Sequence, residues 1–260
     1  VNHHHVGLVP DGTVQVLLPA CALAGWLVAV RAARRRGRTW PATRTVSWSL
    51  GLACAGVAVA GPLAAAGHAD FRAHMTGHLL LGMLAPLLVV SARPVTLALC
   101  ALPARDARRL AAVLRSRPVA ILTHPVVAAV LDVGGLWVVY RTGLYPAAHS
   151  PLVRAHVFLA GALFTASVVG RDPAPHRAAL EVRAAVLVGV MAAHGILAKS
   201  LYAGPPTGVP AARAEAGAQV MYYGGAVVEL ALLVLLGVEW YRWTGRRTRH
   251  TPIRRVRARG

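Results

Sequence analysis

Seven apolar stretches, each near the roughly 20 residues that cross about 30 Å of hydrocarbon as a helix, divide this chain, and its basic residues crowd into alternate gaps between them. The stretches lie at about 14–30, 46–66, 71–90, 119–140, 152–169, 184–203 and 219–240. That pattern confines the chain to an all-α, polytopic membrane bundle of seven transmembrane helices, one domain over 1–260 with no separate soluble unit. Only 14% of the 260 residues are charged, where a soluble domain carries about 25%.

The gaps after the first, third and fifth stretches hold six, six and three basic residues, and eight more follow position 240. The other five are Arg72, Arg141, Arg154, Lys199 and Arg213. The positive-inside rule then puts the N-terminus outside and makes 241–260 a basic cytoplasmic tail. In that setting the net charge of +19 reads as attraction to a bilayer with anionic headgroups, and no nucleic-acid partner is expected. The arginines and leucines between Arg93 and Pro118 predict a helix lying on the inner membrane surface, and Pro86 predicts a kink. Cys21, Cys54 and Cys100 are far apart and form no CxxC, so neither a disulfide framework nor a thiolate metal site is expected. No basic flank precedes the first apolar stretch, so no cleaved signal peptide is expected, and the opening Val-Asn-His-His-His carries little weight.

Orientation sorts the twelve histidines. His68, His74, His78, His149 and His156 fall at outer ends of stretches, His194 falls near the middle of the sixth, and only His124, His176 and His250 belong to the inner side. His74 and His78 are spaced i, i+4 and share one helical face, the spacing with which two imidazoles grip one metal. Met75, Met191 and Met221 lie near these histidines in the pattern, and imidazole with thioether suits a soft ion, Cu(I) first. The candidate ligands are therefore His74, His78, His68, Met75, His156, His149, His194 and Met221, with Asp70, Gln219 and Met191 behind them. The plainer alternative for any one of them is an interhelical hydrogen bond or a gap-filling thioether. Asp132 and Glu229 lie within apolar stretches and must be neutral or paired, as an intramembrane relay or as interhelical hydrogen-bond partners.

The run His74-Met-Thr-Gly-His78-Leu-Leu-Leu-Gly-Met-Leu-Ala-Pro86 resembles the signature of the CtaG family of cytochrome c oxidase assembly factors. Supporting matches follow in order at Arg93-Pro94, Thr123-His124-Pro125, Leu144 to His149, His156 to Gly161, Gly170-Arg-Asp172-Pro173, Met191 to His194 and Gln219 to Gly225. The resemblance covers about 65–240. It implies a multi-pass protein of the bacterial plasma membrane, needed to build an active haem–copper oxidase and handling copper, with oxidase subunits or other copper chaperones as partners. Two positions depart from the family pattern: Tyr140 stands where many relatives carry a Trp-His pair, and Ala218 where many carry an aspartate.

Three rivals stand beside a copper chaperone. A copper transporter would need polar groups at several depths, and only His194, Asp132 and Glu229 offer them. A haem-binding electron carrier would use histidines of two helices as axial ligands and show a Soret band. A metal-free assembly scaffold would tolerate loss of His74 and His78. No nucleophile is paired with a base, so no enzymatic activity is expected, and a homo-oligomer is left open.

Overall fold

The computed structural model describes residues 11–249, and these are helical with no strand among them. His3, His4, His5 and His250, and the arginines of the tail beyond 249, lie outside the described residues. Apolar helices satisfy their own backbone groups, which is what a segment surrounded by lipid requires. Among the described residues, six helices are long and apolar enough to cross a membrane. They are α1 (Asp11–Arg35), the pair α2 (Ala42–Val59) and α3 (Gly61–Ala66), α4 (Phe71–Ser91), α9 (Pro151–Val169), α10 (Leu180–Ala203) and α11 (Ala211–Arg249).

Between α4 and α9 lie short helices α5 (Pro94–Ala101), α6 (Ala104–Leu114) and α7 (Arg117–Leu122), then a helical run α8 over 125–141. The apolar stretch read as 119–140 is therefore broken. His124 is extended (φ −67°, ψ 129°), because the ring of Pro125 disfavours helical backbone in the residue before it. The three segments of α8 hold five, five and seven residues, about 25 Å at 1.5 Å each, a little short of the hydrocarbon thickness. The inner-surface helix read from 93–118 is likewise divided into α5, α6 and α7, with α6 carrying the arginines. At the other end of the chain, α11 begins at Ala211, eight positions before the expected 219, because the proline-rich loop closes earlier.

Two helices contain π turns. In α4 the turn covers Leu79–Leu84, and in α8 it covers Val130–Gly134. Pro86 has no N–H to offer the carbonyl of Gly82, and the wider turn just before it absorbs that loss, so the expected kink takes the form of a π turn. Gly161 of α9 packs on the freed carbonyl, where an added Cβ would come within 2.1 Å of Gly82 O.

The loops collect at two ends. At one, Arg213 donates to Ala69 O (2.7 Å), Arg141 to Gly204 O (3.1 Å) and Arg154 to Val59 O (3.2 Å), and the rings of His68 and His149 stack. We call this the histidine end. At the other, Asp172 accepts from Val95 N (3.2 Å) and Thr96 N (2.7 Å), capping α5, and His176 Nε2 donates to Arg115 O (3.1 Å). There too Glu239 binds the guanidinium of Arg183 through both oxygens (2.8 and 3.0 Å) and that of Arg177 (3.0 Å). Arg36 reaches Leu102 O. The arginine-rich gaps thus share one end, and α8 runs from it to the other.

Candidate functional site

The histidine end opens into a cavity lined by α3, α4, α8 and α9 and the 3-10 turn Tyr145–His149. Asp70 caps α4 by accepting from Arg72 N (2.9 Å), which sets the first turn and aims His74 at the cavity. His74 and His149 line it, and His68, in the turn after α3, packs on His149. His68 stacks on His149 with ring centres 4.2 Å apart, and His149 meets His74 edge-on at 4.8 Å. His68 donates from Nδ1 to Ala64 O (2.9 Å), which in the neutral ring leaves Nε2 with a free lone pair. Burial, then the neighbouring His68 and Arg154, push the His149 pKa below the usual imidazole range, which favours the neutral, ligating form. His74 Nε2 pairs with the hydroxyl of Tyr140 at 2.8 Å. Phe71 and Tyr145 complete an aromatic wall around His74, with ring centres 5.8 and 5.2 Å away.

His78 lines this cavity too, and it also lines a second one deeper in the bundle. The inner cavity measures ≈ 30 Å³ and is bounded by His78, Asp132, Thr165, His194 and Glu229 among apolar side chains. His78, His194 and Glu229 are 7%, 3% and 6% exposed. The rings of His78 and His194 are 6.3 Å apart between centres. His194 Nδ1 stands 3.0 Å from Glu229 Oε1, outside the alignment of a full hydrogen bond. The Nε2 atoms of both rings are buried without a partner. Both π turns border this space: the first begins directly after His78, and the second supplies Asp132.

The residues singled out from sequence are thus distributed between two sites. His68, His74 and His149 gather at the mouth; His78, His194, Asp132 and Glu229 line the inner cavity. The i, i+4 pair shares Tyr140 and the outer cavity, but His74 alone meets His149 and His78 alone meets His194. His156 is exposed and donates from Nε2 to Leu131 O (3.0 Å), a carbonyl in the π turn of α8. Met75 and Met221 are fully buried in one core cluster with Phe71, Tyr140 and Leu197, and Met191 packs beside Leu187 and Val190. Gln219 is exposed. Among the described residues no group of three or more His, Cys, Asp or Glu side chains is arranged to hold a metal ion. Sequence reasoning passed over Tyr145, Arg154 and the glycines beside the rings. An added Cβ at Gly225 would come within 2.4 Å of His194 Cε1. Arg154 had a signal, as one of few basic residues on the histidine-rich side.

Fold and site together define a helical membrane protein with a histidine-lined opening that leads toward a buried imidazole–carboxylate cavity. The profile of the cytochrome c oxidase caa3 assembly factors matches residues 24–243, and the chain belongs to that family. It is also similar to uncharacterized proteins of Mycobacterium bovis and Mycobacterium tuberculosis, 34% identical over 190 residues, and of Mycobacterium leprae, 33% identical over 193 residues. Each match covers 68% of this chain and 29% of the relative, so the chain spans less than a third of the length of those proteins. No solved structure matches it.

Proposed function

We propose that this protein handles Cu(I) for the assembly of a haem–copper oxidase, receiving the ion at an extracytoplasmic mouth formed by His68, His74 and His149. The observation that carries the reading is the convergence of three imidazoles, 4.2 and 4.8 Å apart between ring centres, at the end opposite the arginine-rich gaps. Family membership supplies the oxidase. Imidazole nitrogens suit copper, and a half-open site suits a carrier that must release its ion. His68 spends Nδ1 on Ala64 O, so Nε2 is its nitrogen left for a cation, and the lowered pKa of His149 favours the ligating form of its ring. His74 would join them by giving up Tyr140. The recipient is an oxidase subunit or a second copper chaperone.

The membrane arrangement belongs to the same proposal. Helix α8 joins the two ends and acts as a seventh span, with the mouth outside and the arginine end in the cytoplasm of a bacterial plasma membrane. Its length, about 25 Å, is within what local thinning of a bilayer accommodates. Topology reporters at positions 70, 147 and 207 should read as external, and those at 105 and 175 as internal.

The test is Cu(I) titration of the detergent-purified protein against a chromogenic chelator, under reducing conditions. The wild type should retain Cu(I), and H68A/H149A should lose the mouth-bound ion and fail to support oxidase activity in cells. A wild-type protein that takes up no Cu(I) overturns the proposal.

A further inference from the structure

We infer that the ion occupies two successive places, and that the second is a two-coordinate Cu(I) site between His78 and His194, buttressed by Glu229. The inference rests on the copper reading above and adds a site that the mouth does not contain. It starts from two imidazoles, 7% and 3% exposed, that line one cavity and whose Nε2 atoms are buried without a partner. A buried polar atom left without a partner is costly, so a shared ligand would relieve both. Spacing agrees with such a ligand. Two imidazoles on opposite sides of one ion, with metal–nitrogen bonds of about 2 Å, have ring centres about 6 Å apart; the observed separation is 6.3 Å.

The surroundings fit as well. A metal-bound histidine characteristically turns its other ring nitrogen to a carboxylate, and His194 has Glu229 Oε1 3.0 Å from Nδ1. Of the two carboxyl groups on the cavity wall, Glu229 stands beside His194 and would balance one monovalent cation in this low-dielectric interior. The inner cavity, ≈ 30 Å³, has room for an ion or a water-sized molecule. Two donors satisfy monovalent copper without the three-ligand group that the described residues lack. His78 borders both cavities, so its ring is the shared wall through which an ion would pass from mouth to interior. Gly225 makes the inner geometry possible, since an added Cβ there would meet His194 Cε1 at 2.4 Å.

The experiment is Cu(I) stoichiometry with X-ray absorption on the full chain in detergent. Wild type should bind two Cu(I), one of them with the intense pre-edge feature of two-coordinate Cu(I). H78Q/H194Q should bind one and lose that feature, whereas H68A/H149A should lose the mouth ion and keep the feature. E229Q should weaken the inner ion about 10–100-fold. If H78Q/H194Q does not fold, as judged by monodispersity and thermal unfolding, E229Q and G225A carry the test, and G225A should lose the inner ion with every donor still present. An unchanged stoichiometry and pre-edge in H78Q/H194Q, or in both substitute variants, overturns the inner site. A wild type holding one ion that H68A/H149A alone removes sinks this inference and leaves the proposed function standing; a wild type holding none sinks both.

Discussion

The contact between Gly161 and the π turn of α4 tests the packing that holds the site in place. A Cβ at position 161 would lie 2.1 Å from Gly82 O, 3.1 Å from Gly82 C and 3.2 Å from Pro86 Cγ. Two of those atoms are backbone and the third is in a proline ring, so no rotamer change relieves the clash. A carbon–oxygen contact needs roughly 3.2 Å or more, so α9 and α4 must separate by about 1 Å at this crossing, forfeiting dispersion along it. Overpacking of this kind costs about 1–3 kcal/mol, and a rigid obstacle places Gly161→Ala at the upper end. Gly189 supplies the control on α10. Nothing lies within 4 Å of its added Cβ, and alanine there should be neutral or stabilise by up to about 1 kcal/mol through helix propensity. The assay is thermal unfolding of each variant in the same detergent, followed by loss of the monodisperse peak. Gly161→Ala should unfold several degrees below wild type and Gly189→Ala at or above it. Equal unfolding temperatures for the two would refute the argument that backbone contact at the π turn sets the α4–α9 spacing.

Other outcomes follow from single contacts. Asp172→Ala removes the acceptor for Val95 N and Thr96 N and should cost about 1–2 kcal/mol, read as lower thermal stability and faster proteolysis between α5 and α6. Glu239→Ala leaves the Arg183 guanidinium, whose side chain is 5% exposed, with Val168 O as its remaining acceptor in the structure, and should destabilise by about 3 kcal/mol in the same melt. Tyr140→Phe frees His74 Nε2 from a hydrogen bond worth about 1 kcal/mol, so Cu(I) affinity at the mouth should rise roughly fivefold in a chelator competition; weaker binding would make the tyrosine a contributor to the site.

The division of the histidines carries the functional argument. His74 and His78 are one turn apart on α4 and both lie against Tyr140, and that turn is enough to put one ring against His149 and the other against His194. The methionines carry the opposite message. Met75 and Met221 lie in a core cluster with Leu197 and Leu201, where an unbranched thioether fills irregular space.

Much of this was readable from residue order alone. Apolar runs of membrane-spanning length dictate helices because lipid offers no partner for backbone polar groups, and the arginine count by gap separates the two ends. The same order singled out His68, His74, His78, His149, His194, Asp132 and Glu229, since polar side chains in apolar surroundings stand out by composition. Which of them meet was settled only by tertiary packing. Helical spacing states that two side chains share a face; it says nothing about the helix opposite. The break at His124-Pro125, the two π turns and the glycine contacts set how α4, α8, α9 and α11 approach one another. That approach, a property of the assembled bundle, brings His68 to His149 and His78 to His194.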